Sequence, residues 1–357
     1  MTKSVRGFLV FLTFLTFWCG CSTPTAVAKT PLVVFAAGSL IIPFHQLEDA
    51  FEARYPTIDV QSEYHGSIQV MRHVTDLHES IDVVATADVS LIPMVMYASV
   101  DEETGKSYAD WYIHFATNKL GVAYQPESKY ADMINSQNWY EILSRPDVRV
   151  GIADPRFDAS GYRTLMAFGL ANTLYQDPKI FSRMFKGRFN PAVSLFQDDG
   201  LATVTVPEIV DTVSNSGLIV RGASVELLAL LESGDLDYAF EYESVIRQHD
   251  MELLSLPEEV NLGSETMDYS GIEVKLDFQR FATLKPLFKG EQIGYGITVP
   301  TNSPHPEEAE LYIAFLLGPE GRAIMQANNQ PLFDSPVGVD YGAIPVNLQT
   351  LCVSERP

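Results

Sequence analysis

The sequence predicts an α/β protein of two lobes with a cleft between them, on three observations. Short apolar runs lead through small-residue turns into helical patterns. That strand–turn–helix series begins at Leu32 and begins afresh at Val148. At 357 residues the chain is too long for one ordinary domain and suits two.

The first series opens with Leu32-Val33-Val34-Phe35-Ala36-Ala37, a continuous apolar run suited to a buried parallel strand. Gly38-Ser39 follows, then a helical pattern over 41–54 with Phe44, Leu47 and Phe51 on one face and Pro43 in the first turn. Residues 58–63 alternate as a second strand, Gly66-Ser67 turns, and a helix is expected over 68–77. Residues 81–86 form a third strand, and 111–117 and 120–124 read as strands flanking Asn118-Lys119. The second series has a strand over 148–153, the turn Asp158 to Arg163, and a helix over 164–172. A helix over 224–233 is closed by Gly234, and Tyr238 to Tyr242 is a strand. Strand 294–299 and helices over 306–317 and 318–328 complete the pattern. The expected division is a leader and linker over 1–30, one lobe from 31–117 plus about 296–345, and the other from about 118–295.

Lys3 and Arg6 precede an apolar run from Phe8 to Trp18, which is short for a membrane span but has the length of a signal-peptide core. Gly20-Cys21 and the small polar tract after it fit a lipoprotein signal, with lipid on Cys21. The bulk of the chain is therefore expected outside the cytoplasm, tethered to the outer face of the membrane; an uncleaved N-terminal anchor and a simple secretory peptide are the alternatives, and both also place it outside the cytoplasm. Beyond the leader only Cys352 remains, so neither an internal disulfide nor a cysteine metal cluster is available. The formal net charge of -22 disfavours nucleic acid as a partner. It does not exclude a small anion, because backbone N–H groups and hydroxyls at helix starts bind anions through short-range dipoles.

The chemistry-bearing residues lie in the turns. Ser39 sits between a strand and a helix, where it can cap the helix or offer donors to an anion, and Gly38 lets the backbone approach closely. Ser67 repeats the construction after the second strand. Two such turns at successive ends of a parallel sheet point into one crevice, where open α/β sheets bind ligands. Asp158-Ala159-Ser160 is a third turn ahead of a helix; Arg163 beyond it can fork onto an anion or pair with a carboxylate. No nucleophile elbow, P-loop or paired-His zinc motif occurs, so no enzyme chemistry and no cofactor is indicated.

The turns Ala36 to Leu40, Tyr64 to Ser67 and Asp158 to Arg163, the tract Glu226 to Gly234, and the strand Tyr238 to Tyr242 running into Ser244-Val245 occur in an order and spacing that resembles the tungstate/molybdate-binding proteins of ABC importers, in particular their archaeal-type branch. The resemblance covers nearly all the chain after the leader. It implies a two-lobed periplasmic-binding-protein fold of type II that closes over a tungstate or molybdate ligand and delivers it to an ABC permease. It further implies ligand contacts from Gly38, Ser39, Ser67, Asp158, Ala159, Ser160 and Tyr242. In that branch two carboxylates approach the metal of the bound oxyanion; Asp158 matches the first. The second, a Glu at a helix start, falls on Ser224 here. Glu226 is the nearby substitute, but on a different helical face. Hydrogen bonding to a four-coordinate anion and a six-coordinate site both stay open. The alternatives are another small oxyanion, such as phosphate or sulfate, and an extracellular hydrolase using Asp158 and a Ser.

Overall fold

The computed structural model describes residues 28–277 and 286–355. The expected leader, with Lys3, Arg6, Cys19 and Cys21, lies outside the described residues. The first series folds as β1 (Thr30–Ala37), a single turn over Gly38–Leu40, α1 (Ile41–Arg54), β2 (Ile58–His65), α2 (Ser67–Thr75) and β3 (Val83–Thr86). β4 (Tyr112–Thr117) and β5 (Leu120–Tyr124) follow, joined only by Asn118 and Lys119. The second series is α3 (Trp139–Leu143), β6 (Val150–Ala153), α4 (Ala159–Leu174) and α5 (Ile180–Phe185). It continues through β7 (Ser194–Asp198), β8 (Leu201–Pro207), β9 (Leu218–Arg221), α6 (Glu226–Glu232), β10 (Tyr238–Tyr242), α7 (Glu243–Gln248) and β11 (Glu252–Ser255). The chain closes with β12 (Ile272–Asp277), β13 (Leu287–Lys289), β14 (Gly294–Thr298), α8 (Pro306–Leu317), α9 (Pro319–Ala327), β15 (Leu332–Val339), α10 (Val346–Gln349) and β16 (Val353–Ser354).

Three sheets result. The seven-stranded sheet has the order β16-β15-β4-β14-β3-β1-β2, and the five-stranded sheet the order β11-β5-β10-β6-β9. Each anchors one lobe, and the chain passes between them at Asn118-Lys119. β1 and β2 are parallel from Thr30 against Ile58 to Ala37 against His65, so Gly38 and Gly66 leave the sheet at one level. β3 pairs on the other side of β1, with Ala36 against Ala85, which brings Ala87 and Asp88 to the same rim. In the second lobe β6 lies parallel to β9 and β10, with Ala153 against Arg221 and Ala239 against Gly151. Their carboxyl ends therefore also share one rim, and the two rims face each other.

Two helices differ from the sequence reading. α4 begins at Ala159 rather than 164 because Asp158 caps it, accepting the Ser160 N–H at 2.8 Å. α6 begins at Glu226, leaving Ser224 in the preceding turn. The four-stranded sheet β13-β12-β8-β7 is not foreseen by the sequence pattern. It packs on α4, where Tyr162 stacks on Phe288 with ring centroids 4.0 Å apart. Covered on two sides, α4 is buried around almost its whole circumference and shows no apolar stripe.

At Gly169 an added Cβ would lie 2.5 Å from Cδ1 of Ile272, so the Ile272 side chain must shift to admit one. Gly169→Val is expected to cost about 1–3 kcal/mol through overpacking. Denaturant unfolding checks this; an unchanged midpoint would show that the sheet over α4 is loosely held.

Candidate functional site

The site is assembled from strand ends of both lobes. On the first lobe Ser39 follows β1 directly and is buried, its hydroxyl 2.9 Å from the Tyr295 hydroxyl on β14. Ser67 opens α2, is buried, and accepts the Ala87 N–H on Oγ at 3.0 Å. Asn118, at the crossing between lobes, donates from Nδ2 to Ser244 Oγ at 2.8 Å and to the Tyr295 hydroxyl at 3.1 Å. Ser39, Tyr295, Asn118 and Ser244 thus form one hydrogen-bonded chain along the cleft wall.

On the second lobe Asp158 holds the start of α4. Its Oδ1 accepts from the Ser160 N–H and hydroxyl at 2.8 and 2.9 Å, and its Oδ2 accepts the Ser224 N–H at 3.1 Å. Burial pushes the Asp158 carboxyl above its ordinary range, and these hydrogen bonds oppose the shift. Tyr242 ends β10 fully buried, its hydroxyl accepting from Arg163 Nη1 at 2.7 Å.

The lobes are in contact across the cleft. The Phe157 carbonyl accepts the Ile68 N–H at 3.0 Å, at the start of α2. An added Cβ on Gly66 would lie 2.3 Å from that carbonyl oxygen, so only glycine permits this approach. Arg163 donates to the Ala87 carbonyl at 2.6 Å and lies 3.5 Å from Asp88 Oδ2, which also accepts from the Tyr162 hydroxyl. The two rims are thus in direct contact.

One acid stands out. Glu241 is fully buried beside Tyr242; its Oε1 accepts the Tyr242 N–H at 2.6 Å, while Oε2 has no hydrogen-bond partner among the described residues. Burial raises its pKa from 4.5 to about 8; the nearby Asp158 charge pushes the same way, and the neighbouring Ser224 hydroxyl opposes it. A carboxyl left in this state is costly and is a mark of functional sites.

The structure brings together Gly38, Ser39, Ser67, Asp158, Ala159, Ser160, Ser224 and Tyr242, all buried at the two facing rims. Arg163 takes the pairing role, on Asp88, Ala87 and Tyr242. Glu226 lies exposed on the first turn of α6 and does not take the place of a carboxylate at Ser224. Tyr295, Asn118 and Glu241 were not singled out by sequence. Only Glu241 leaves a readable signal, as a lone acid in the apolar strand Tyr238–Tyr242.

Residues 32–328 match the family of bacterial extracellular solute-binding proteins. This chain belongs to that family. A solute-binding protein of Staphylothermus marinus is 36% identical over 332 residues, spanning 91% of this chain and 89% of that one. The molybdate/tungstate-binding protein WtpA of Thermococcus kodakarensis is 38% identical over 336 residues, spanning 92% and 88%. Among solved structures, the periplasmic molybdate-binding protein of Azotobacter vinelandii aligns with a TM-score of 0.53 at 14% identity, covering 85% of this chain and all of that one. The sulfate-binding protein SubI of Mycobacterium tuberculosis aligns at 0.55 and 14%, covering 86% and 88%. At such identity these two establish the two-lobed fold, and their different cargoes leave the ligand to the site itself. This solute-binding protein is of the ABC-importer type and extracytoplasmic, and no helix among the described residues is long and apolar enough to cross a membrane.

The buried Glu241 has a pH consequence for the ligand-free solute-binding protein. Its folded pKa is raised, so the folded state holds a proton that the unfolded state releases, and its stability contribution is lost as pH rises from about 4.5 to about 8. Glu241→Gln should therefore stabilise the ligand-free protein, by more at pH 8 than at pH 5. Thermal melts of both proteins check this; a pH-independent difference would contradict it.

Proposed function

We propose that this protein captures tungstate or molybdate outside the cytoplasm and delivers it to an ABC permease. The observation that carries this reading is the placement of the buried Ser39 and Ser67 at one level, opposite the buried Asp158–Ser160 turn. Similarity to a protein named for molybdate and tungstate, over nearly the whole chain, supports the choice of cargo.

The chemistry is that of differential binding by fixed donors. A tetrahedral dianion lies at the facing rims, where the hydroxyls of Ser39 and Ser67 replace part of its hydration shell. The net charge of -22 is spread over the surface and screened, whereas the donors act at contact distance. Sulfate is smaller and leaves the donors stretched. Closure of the two lobes over the anion is the signal for the permease.

The protein acts without turnover. Both Asp158 oxygens accept capping hydrogen bonds, and the Ser160 hydroxyl that meets Asp158 belongs to that cap rather than to a base–nucleophile pair. Lipid on Cys21 would hold the protein at the outer membrane face, within reach of its permease.

Isothermal titration of leader-less protein tests the reading: tungstate and molybdate should bind at one site, in preference to sulfate and phosphate. Clear binding of sulfate or phosphate with no heat from either metal oxyanion would sink it. Ser39→Ala should weaken the preferred anion about 10- to 100-fold, the worth of one hydrogen bond to a charged group.

A further inference from the structure

We propose that Glu241 donates a carboxylate oxygen to the metal centre of the bound oxyanion, as the partner of Asp158. This rests on the oxyanion reading above and adds a residue and a coordination mode to it. The two carboxylates come from different elements, Asp158 from the start of α4 and Glu241 from the end of β10.

Geometry makes the case. Glu241 lies two residues beyond Ala239, the last residue of β10 paired with β6, so it emerges at the rim that also carries Asp158. The Tyr242 N–H fixes Oε1 at 2.6 Å, which orients the carboxyl and leaves Oε2 free. The Glu241 charge couples to those of Asp158 on its own lobe and of Tyr295 on the other. Ser224, where the family resemblance expects an acid, carries only a hydroxyl, and that hydroxyl neighbours Glu241. The carboxylate that Ser224 lacks is thus present a short distance away, on the adjacent strand.

A structural role explains this poorly. A buried carboxyl kept for stability would pair both oxygens with donors or a cation. The cation of the site, Arg163, is committed to Tyr242, Ala87 and Asp88. Once ionised, the two acids also repel a simple dianion. Sulfur and phosphorus oxyanions hold four oxygens and gain nothing from carboxylates. Tungsten and molybdenum centres are larger and accept two more. One lone pair from each carboxylate then becomes a metal–oxygen bond; the proton that Glu241 holds without ligand leaves to solvent, and no electron is transferred. The same two acids that repel sulfate bind tungstate, which makes Glu241 a residue of selectivity.

X-ray absorption at the tungsten edge, with titrations of tungstate and sulfate, tests this on the wild type, Glu241→Gln and the double variant Ser224→Glu/Glu241→Gln. The wild-type tungsten should be six-coordinate. Glu241→Gln should lose a carboxylate oxygen from the shell, bind tungstate at least about tenfold more weakly, and discriminate less against sulfate. The double variant should regain six-coordination, because it returns an acid to the neighbouring position. A four-coordinate wild-type spectrum overturns the proposal whatever the variants do, as does a Glu241→Gln variant with unchanged spectrum and affinity or with tighter binding. In those cases wild-type tungstate binding still stands and the oxyanion reading survives. Absence of tungstate and molybdate binding by the wild type overturns both.

Discussion

The Phe157 carbonyl accepts the Ile68 N–H at 3.0 Å across the cleft, and Gly66 leaves no side chain in the way. The site depends on this backbone-to-backbone approach. It brings the start of α2 against the turn that launches α4, so that donors from two separate sheets converge on one small volume. Anything larger than glycine at position 66 would hold the rims apart and leave each lobe with half a site. The parallel register of β1 and β2 serves the same end, because it sets Gly38 and Gly66 level.

Closure also concentrates electrostatics. Asp158 and Glu241 are buried together, and burial raises both pKa values. Arg163, fixed on Tyr242 and the Ala87 carbonyl, ties the second lobe to the rim of the first without spending its charge on the anion. On the proposed reading, an anion whose metal accepts oxygen from these acids is favoured over one that only fills the space.

The strand–turn–helix order and the Ser39, Ser67 and Asp158 turns were legible because they are local: an apolar run, a small residue and a helical pattern within a dozen positions. The four-stranded sheet was not, since β7 is largely exposed and polar and carries no apolar alternation. Tyr295 meets Ser39 across 256 residues, and only the insertion of β14 between β3 and β4 brings it there. Glu241 was hidden for another reason. One acid in a short strand reads as a surface residue until the strand is found buried on both faces. The expected substitute, Glu226, was nearer in sequence to Ser224 but points to solvent. Proximity along the chain misled where proximity across strands decided.

On the proposed reading a metal oxyanion sits between the two rims. An anomalous difference map from crystals grown with tungstate tests it most directly, because tungsten locates itself. A single strong peak enclosed by Ser39, Ser67, Asp158 and Ser160 is expected. No peak in the cleft, or a peak only on the surface, would contradict it.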